Sequence, residues 1–196
     1  MSSDTLEQLR RRAADCRDCD LWRGATQTVF GEGGAGARLL LVGEQPGDRE
    51  DREGRPFVGP AGALLDGALR EAGVARGEAY VTNVVKHFKY RARGNRRIHQ
   101  RPSAEEIAIC RHWLDAELEL VRPAVLVCLG LTAGHALLGR RLSVGRDRGR
   151  PLPSDLAPTA LLTAHPSSVL RERDGAARHA ARAALVADLR VAREAC

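Results

Sequence analysis

A run of basic residues surrounds a histidine in the segment KHFKYRARGNRRIHQRPSAEE, which spans residues 86–106. The segment holds seven lysines and arginines, and His99 lies near its end. A neutral imidazole is a competent nitrogen nucleophile near pH 7, because its reference pKa is about 6.5. Arginine is well suited to binding phosphates. The segment is therefore either a solvated arginine-rich loop or a nucleic-acid contact at which His99 does chemistry.

Five cysteines offer a second kind of chemistry. Cys16 and Cys19 form a CxxC motif, Cys110 lies early in a predicted helix, and Cys128 lies in a predicted strand. Four cysteines suit Zn²⁺ or an iron–sulfur cluster. Spacing alone allows equally that Cys110 and Cys128 are small hydrophobic residues of the core. We treat Cys196 as a bystander.

The composition is that of a globular protein with a basic balance. The 196 residues are 43% hydrophobic, which predicts one domain over residues 1–196. The net charge of +6 makes an acidic partner such as nucleic acid plausible, although the many arginines can equally reflect a GC-rich genome. The N-terminus lacks an apolar signal region, and no segment approaches transmembrane length. We expect a cytoplasmic monomer with no membrane partner and with reduced thiols.

Strands and helices are predicted to alternate along the chain. Apolar runs predict buried strands at 38–43, 79–84, 124–130 and 160–165. Periodicity and caps predict helices at 61–73, from Ser103 to about Val121, from Thr132, and at 176–193. Asp4 and Glu7 predict a short first helix, and the segment 44–60 predicts a loop. This alternation indicates an α/β fold with a parallel sheet and helices on both faces.

Polar residues follow the strands at the edge where ligands bind in such sheets. Glu44, Asn83 and His165 each lie at or just after the end of a predicted strand. Because the carboxyl ends of parallel strands meet at one edge, we expect these residues to converge on one pocket.

Four motifs occur in the order found in uracil-DNA glycosylases: GEQPG (43–47), GRPFVGPAG (54–62), TNVVKH (82–87) and HPSSVLR (165–171). With the cysteines, the chain resembles family 4, the iron–sulfur family of these enzymes, from Cys16 to Arg171. That family usually has alanine at the position of Gln45 and lacks the insert ending in RRIH (96–99). In both features the chain resembles the UdgX-type branch, whose members stay covalently bound to uracil-containing DNA.

The resemblance implies a three-layer sandwich with a central four-stranded parallel sheet flanked by helices. It implies a [4Fe–4S] cluster on Cys16, Cys19, Cys110 and Cys128, with Zn²⁺ as the alternative. The implied partner is uracil-containing DNA, single-stranded or duplex, and free uracil is the implied product. The flipped-out uracil needs a stacking face and polar groups that read its edge.

The resemblance also implies roles within the uracil pocket. Phe57 stacks on the base, a contact worth on the order of 1–3 kcal/mol. Asn83 pairs with uracil O4 and N3–H, because its amide is both donor and acceptor. His165 contacts O2 and stabilises the departing anion. Gln45 and Asp48 are placed near the base. The alternative for Phe57 is a core position, and the alternative for Asn83 is a residue that closes a turn.

A further set of residues is predicted to contact DNA or to react with it. Arg97, Ser167, Ser168 and Arg171 are predicted DNA contacts, with helix capping as the alternative for the serines. By resemblance, His99 captures the sugar C1′ after uracil leaves, and Glu44 orients its imidazole. The remaining histidines are expected at the surface or in helices, without a role; they are His87, His112, His135 and His179.

Three functions remain open from the sequence. The first is a glycosylase that reacts once and stays attached through His99. The second is an ordinary turnover glycosylase, for which His99 only contacts phosphate. The third is a non-catalytic protein that binds uracil-containing or damaged DNA.

Overall fold

The computed structural model of the chain describes residues 5–139 and 141–196. Its strands are β1 (Leu39–Gly43), β2 (Ala79–Asn83), β3 (Tyr90–Arg93), β4 (Arg96–His99), β5 (Val125–Leu129), β6 (Pro151–Leu152) and β7 (Thr159–Thr163). Its helices are α1 (Leu6–Ala14), α2 (Asp48–Glu53), α3 (Pro60–Ala72), α4 (Ala104–Val121), α5 (Leu131–Leu138), α6 (Val144–Asp147), α7 (Pro166–Arg171) and α8 (Gly175–Glu194). None of the helices in these ranges is long and apolar enough to cross a membrane.

The main sheet has the strand order β2-β1-β5-β7-β6. The first four strands are parallel, and β6 adds an antiparallel edge through the pairs Pro151–Leu161 and Leu152–Ala160. The predicted α/β architecture is confirmed, and the expected four parallel strands gain a fifth, antiparallel one. Pro151 is tolerated there because an edge strand needs fewer N–H donors.

The sheet separates two hydrophobic layers, because successive side chains of a strand point to opposite faces. Leu40 and Val42 pack with residues of α4 and α5, whereas Leu39 and Leu41 pack with residues of α3 and α8. Both faces are covered, which explains why the four parallel strands are apolar almost throughout. The result is the expected three-layer sandwich.

Three local predictions need correction. The segment 44–60 contains helix α2, whose Glu50 side chain accepts the Gly47 N–H, and Gly54 ends the helix in the left-handed region. The first helix is capped by Thr5 with Gln8, and Asp4 lies outside the described residues. The basic segment forms a hairpin, β3–β4, around a two-residue turn at Gly94, whose φ is +56°.

Candidate active site at the carboxyl edge of the sheet

A cavity of about 890 Å³ opens at the carboxyl ends of the parallel strands. Glu44 follows β1, Asn83 ends β2, and His165 follows β7, and all three line this cavity. Phe57 and His99 join them from the α2–α3 connection and from β4. The structure therefore brings together five residues that are far apart in the sequence, at the edge where the strand order predicts a ligand site.

Asn83 supplies a buried polar group to the cavity. Its side chain is only 2% exposed, and its Oδ1 has no hydrogen-bond partner among the described residues. Leaving such an acceptor buried and unpaired destabilises a protein by about 1–3 kcal/mol. A ligand that brings an N–H group to Asn83 would satisfy this acceptor.

Phe57 presents an aromatic ring beside Asn83. Its φ of +56° is unusual for a residue with a side chain, and Phe57 is buried. Gly62 permits this conformation, because a Cβ at that position would overlap the Phe57 carbonyl group. The Phe57 and His165 ring centroids lie 6.0 Å apart. The cavity thus combines a flat apolar face with a buried amide, which suits a planar heterocycle.

Gly43 keeps the space between the amide and the ring open. A Cβ on Gly43 would collide with Asn83 Oδ1 and lie 2.7 Å from the Phe57 ring. We predict that Gly43→Ala lowers the affinity of the cavity for its ligand by at least about tenfold, as clashes of this size force side chains to shift. Gly36→Ala is the matched control, since a Cβ there meets nothing within 4 Å. Equal ligand binding by both variants, measured by titration calorimetry, would contradict this role of Gly43.

His165 is held in one protonation state and one orientation. Its Nδ1 accepts the backbone N–H of Ser167 at 3.1 Å, so the ring proton is on Nε2. Burial, with smaller contributions from Arg171 and His99, lowers the pKa of His165 to about 4. The imidazole is consequently neutral at pH 7 and offers Nε2–H as a donor.

The residues that follow His165 form a capped helix start. Ser167 Oγ lies 2.8 Å from His165 Nδ1, and Ser168 Oγ donates to the His165 carbonyl at 2.7 Å. Arg171 Nη1 donates to Ser167 Oγ at 3.1 Å, and all three residues line the cavity. The serine hydroxyls, predicted to contact DNA, here fix the start of α7 and the orientation of His165.

His99 meets a carboxylate at the mouth of the cavity. Its Nε2 lies 3.3 Å from Glu44 Oε1, and Glu44 Oε2 accepts a hydrogen bond from Thr132 Oγ1. His99 is half exposed, whereas Glu44 is only 21% exposed. With one ring nitrogen directed at the carboxylate, the other nitrogen of a neutral imidazole retains its lone pair. Thr132 was not singled out from the sequence, although it lies at the start of the helix after β5, on the same edge of the sheet.

Arg97 anchors the hairpin to α2. Its guanidinium bonds Asp48 through Nε and Asp51 Oδ2 at 2.6 Å, and its side chain is only 14% exposed. Hydrogen bonds from Arg52 and from Arg97 lower the pKa of Asp48 despite its burial. The lining of the cavity includes Gly47 but, within the described ranges, not Asp48. Arg97 was predicted to contact DNA and Asp48 to contact uracil. The structure places these two residues in an ion pair that positions β4.

Gln45 holds the two ends of the hairpin together. Its Nε2 donates to the carbonyls of Lys89 (3.1 Å) and Gln100 (3.0 Å), and its Oε1 accepts the Lys89 N–H at 3.2 Å. These contacts fix the backbone next to His99. Gln45 also lines the cavity, but its amide groups are engaged with the backbone.

Three of the four predicted cysteine ligands lie near one another. Cys110 Sγ accepts the backbone N–H of Lys86, and Cys16 Sγ accepts the indole N–H of Trp113. Burial raises the pKa of the Cys110 thiol to about 11, and the neighbouring Cys19 and Cys16 add to the increase. Cys128 lies instead inside β5, in register with Val42 and Leu162.

No set of three His, Cys, Asp or Glu side chains within residues 5–139 and 141–196 surrounds a single metal position. A zinc ion needs all its ligands around one point. The thiolates of a four-iron cluster bind different iron atoms and so lie farther apart. The described side chains therefore do not form a zinc site as they stand, and the proximity of Cys16, Cys19 and Cys110 is the observation that bears on a cluster.

Comparisons with known proteins agree with this geometry. Residues 30–190 match the family model of the Uracil DNA glycosylase superfamily. The chain is 40% identical over 176 residues to the type-4 uracil-DNA glycosylase of Thermotoga maritima, covering 89% of this chain and 88% of that protein. It is 36% identical over 174 residues to the type-4 enzyme of Pyrobaculum aerophilum, covering 85% of each chain. A type-5 uracil-DNA glycosylase of the same organism is 34% identical over 148 residues, covering 68% of this chain and 62% of that protein.

Proposed function

The chain belongs to the uracil-DNA glycosylase superfamily, and from that premise we propose that it excises uracil from DNA and is then captured covalently on the sugar C1′ through His99. Excision is the activity in the names of its type-4 relatives. Capture is supported by one observation above all: the His99 imidazole lies at the cavity mouth with Nε2 3.3 Å from the Glu44 carboxylate.

Uracil recognition uses the floor of the cavity. A base must leave the helix stack to reach such a site. In the proposed complex Phe57 stacks on the ring, Asn83 Oδ1 accepts the uracil N3–H, and the amide N–H₂ donates to O4. Cytosine presents an acceptor and a donor at these two positions, so the same amide would oppose it. The buried and unpaired Asn83 Oδ1 is the observation that supports this orientation.

Cleavage transfers the electron pair of the N-glycosidic bond to uracil N1, and negative charge develops on the uracil oxygens. The Nε2–H of neutral His165 would donate to O2 of this anion. A fixed donor of this kind typically contributes 10²–10³-fold in rate. The hydrogen bond of Ser167 to Nδ1 keeps the donor proton on Nε2.

Capture follows on the same sugar. Once the bond from C1′ to uracil N1 has broken, the free ring nitrogen of His99 donates its lone pair to the C1′ of the sugar cation and forms a C–N bond. The proton on the other ring nitrogen is accepted by Glu44, and uracil leaves as the anion and is protonated by solvent. Thr132 donates a hydrogen bond to the other oxygen of the Glu44 carboxylate, Oε2, and so positions it. In this proposal the C–N bond to imidazole is not hydrolysed, so the protein stays attached.

A [4Fe–4S] cluster, when bound, would link the N-terminal CxxC segment to α4 and so stabilise this part of the protein. Cys16, Cys19 and Cys110 would provide its sulfur ligands. Glycosidic cleavage itself transfers no electrons, and the residues of the cavity account for each step.

A denaturing gel of the protein with a single-uracil oligonucleotide tests the proposal. We expect uracil release and a slowly migrating band that survives boiling. Repeated turnover with free abasic DNA would refute covalent capture and leave a conventional glycosylase. Binding without uracil release would refute the excision as well. A thymine-containing oligonucleotide is the control and should give neither product.

His165 predicts a pH dependence of stability. Its pKa is about 4 in the folded protein against an ordinary value of 6.5, so the unfolded chain binds more protons between these values. The contribution of neutral His165 to the free energy of unfolding is complete above pH 6.5 and is lost as the pH falls toward 4. We expect wild type to lose on the order of 2 kcal/mol more unfolding free energy than His165→Asn between pH 7 and pH 4.

Urea unfolding at the two pH values measures this difference. His179→Asn, at an exposed position of α8, is the control and should lose as much stability as wild type. Parallel losses in wild type and His165→Asn would show that His165 is not held neutral by burial.

A further inference from the structure

We propose that the fourth ligand of the iron–sulfur cluster is the Nδ1 atom of His87, and that Cys128 is a core residue with no part in metal binding. The proposal concerns the cofactor inferred above and goes beyond the uracil reaction. It rests on three observations: the N–H donors at Cys16 and Cys110, an unpaired buried imidazole next in sequence to one of these donors, and the position of Cys128 within the sheet.

Two cysteine sulfurs have N–H donors of the kind that surround iron–sulfur clusters. Cys16 Sγ accepts from the Trp113 indole at 3.2 Å, and Cys110 Sγ accepts from the Lys86 backbone at 3.3 Å. Such bonds stabilise thiolate ligands and set the reduction potential of a cluster.

His87 is the residue after Lys86, whose backbone N–H donates to Cys110 Sγ. The imidazole is only 3% exposed, and its Nδ1 has no partner among the described residues. Its Nε2 lies 3.0 Å from Thr28 Oγ1. A proton on Nε2 donated to Thr28 leaves the Nδ1 lone pair free, which is the state of a metal-bound histidine whose other nitrogen is held by an oxygen.

Short-range contacts surround the cysteines on both sides of the candidate cluster site. Asp18 lies between Cys16 and Cys19, with Oδ2 3.4 Å from Cys16 Sγ. Cys110 Sγ accepts the backbone N–H of Lys86, so the neighbouring residue His87 lies close to this cysteine.

Cys128 has the surroundings of a hydrophobic core residue. It is fully buried in the central strand β5, between Val42 and Leu162 on the two neighbouring strands. Burial raises the pKa of its thiol to about 12, opposed only by Arg111, and none of the other cysteines contributes. In the described ranges no N–H donor contacts its sulfur. These are the surroundings of a small hydrophobic residue of the core.

Metal analysis of purified, anaerobically prepared protein tests this assignment without reference to uracil excision. Wild type and Cys128→Ala should each contain about four iron atoms and four acid-labile sulfides per chain, with the same visible absorbance. His87→Ala should lose at least about four-fifths of both. His87→Cys should retain the cluster but at a lower reduction potential, because histidine ligands raise the potential relative to cysteine.

Circular dichroism at low temperature identifies any variant that has unfolded. Wild-type protein without iron and sulfide would overturn the proposal. So would a folded His87→Ala protein that keeps full iron content, an unchanged potential in His87→Cys, or the specific loss of iron from folded Cys128→Ala. Because the measurements are metal content and potential, failure of the uracil-excision proposal would leave their outcome unaffected.

Discussion

His99→Ala should abolish the heat-stable adduct on uracil-containing DNA while uracil excision continues. The adduct requires a nitrogen lone pair at C1′, and alanine has none, so the covalent product should fall at least about 10²-fold, to the detection limit of a gel. In the proposed mechanism excision depends on Phe57, Asn83 and His165, which line the same cavity, and not on His99, so single-turnover uracil release should stay within about tenfold of wild type.

The matched control is His179→Ala, in which an exposed histidine of α8 is removed. It should form the adduct as wild type does. His99→Ser is the informative second variant, since a smaller hydroxyl side chain admits water to C1′ and should convert the reaction toward turnover with free abasic DNA. An undiminished adduct in His99→Ala would refute capture by His99. Continued absence of abasic product in His99→Ser would mean that water does not reach the sugar once His99 is gone.

Asn83→Leu should nearly eliminate excision without destabilising the fold. In the proposed complex the buried Asn83 amide faces the base, and a site built around such hydrogen bonds loses about 10³-fold or more in kcat/KM when they are removed. Leucine has a similar size and removes the unpaired Oδ1, so the free energy of unfolding should stay unchanged or rise by about 1 kcal/mol.

Single-turnover uracil release and urea unfolding measure the two effects separately. Asn95→Leu, at the exposed turn of the hairpin, is the matched control and should leave excision within a few-fold of wild type. Wild-type excision in a folded Asn83→Leu protein would show that Asn83 does not read the base. A large loss of stability would instead show that its amide supports the structure.

The hairpin explains how an exposed histidine can be held in one place. Gln45 ties Lys89 to Gln100, and Arg97 joins β4 to Asp51 beneath it. Asp51 is fully buried, so loss of the Arg97 side chain would leave the charge of its carboxylate uncompensated. The arginines of this segment thus differ in kind: Arg97 is a structural anchor, whereas Arg91, Arg93 and Arg96 are exposed and available to phosphate.

The layers of the fold were predictable because they are encoded locally. The apolar runs that became β1, β2, β5 and β7 specify buried strands, and the Ser103–Glu106 capping box specifies the start of α4. Parallel strands then place their carboxyl ends at one edge, so the meeting of Glu44, Asn83 and His165 followed from residue order alone. Helix α2 was missed because its charged sequence has no apolar period; burial of Glu50 and Asp51 sustains it.

The sequence by itself therefore determined the α/β layering, the edge that carries the site and the meeting of Glu44, Asn83 and His165 at that edge. The tertiary structure decided which partners those side chains take. Arg97 and Asp51 are 46 residues apart, and Gln45 and Gln100 are 55 apart, so no local pattern could reveal that they pair. The same holds for His87, whose burial beside Cys110 depends on how β2 meets α4. Short-range propensity sets the elements, whereas burial and charge pairing between distant segments assign each polar residue its role.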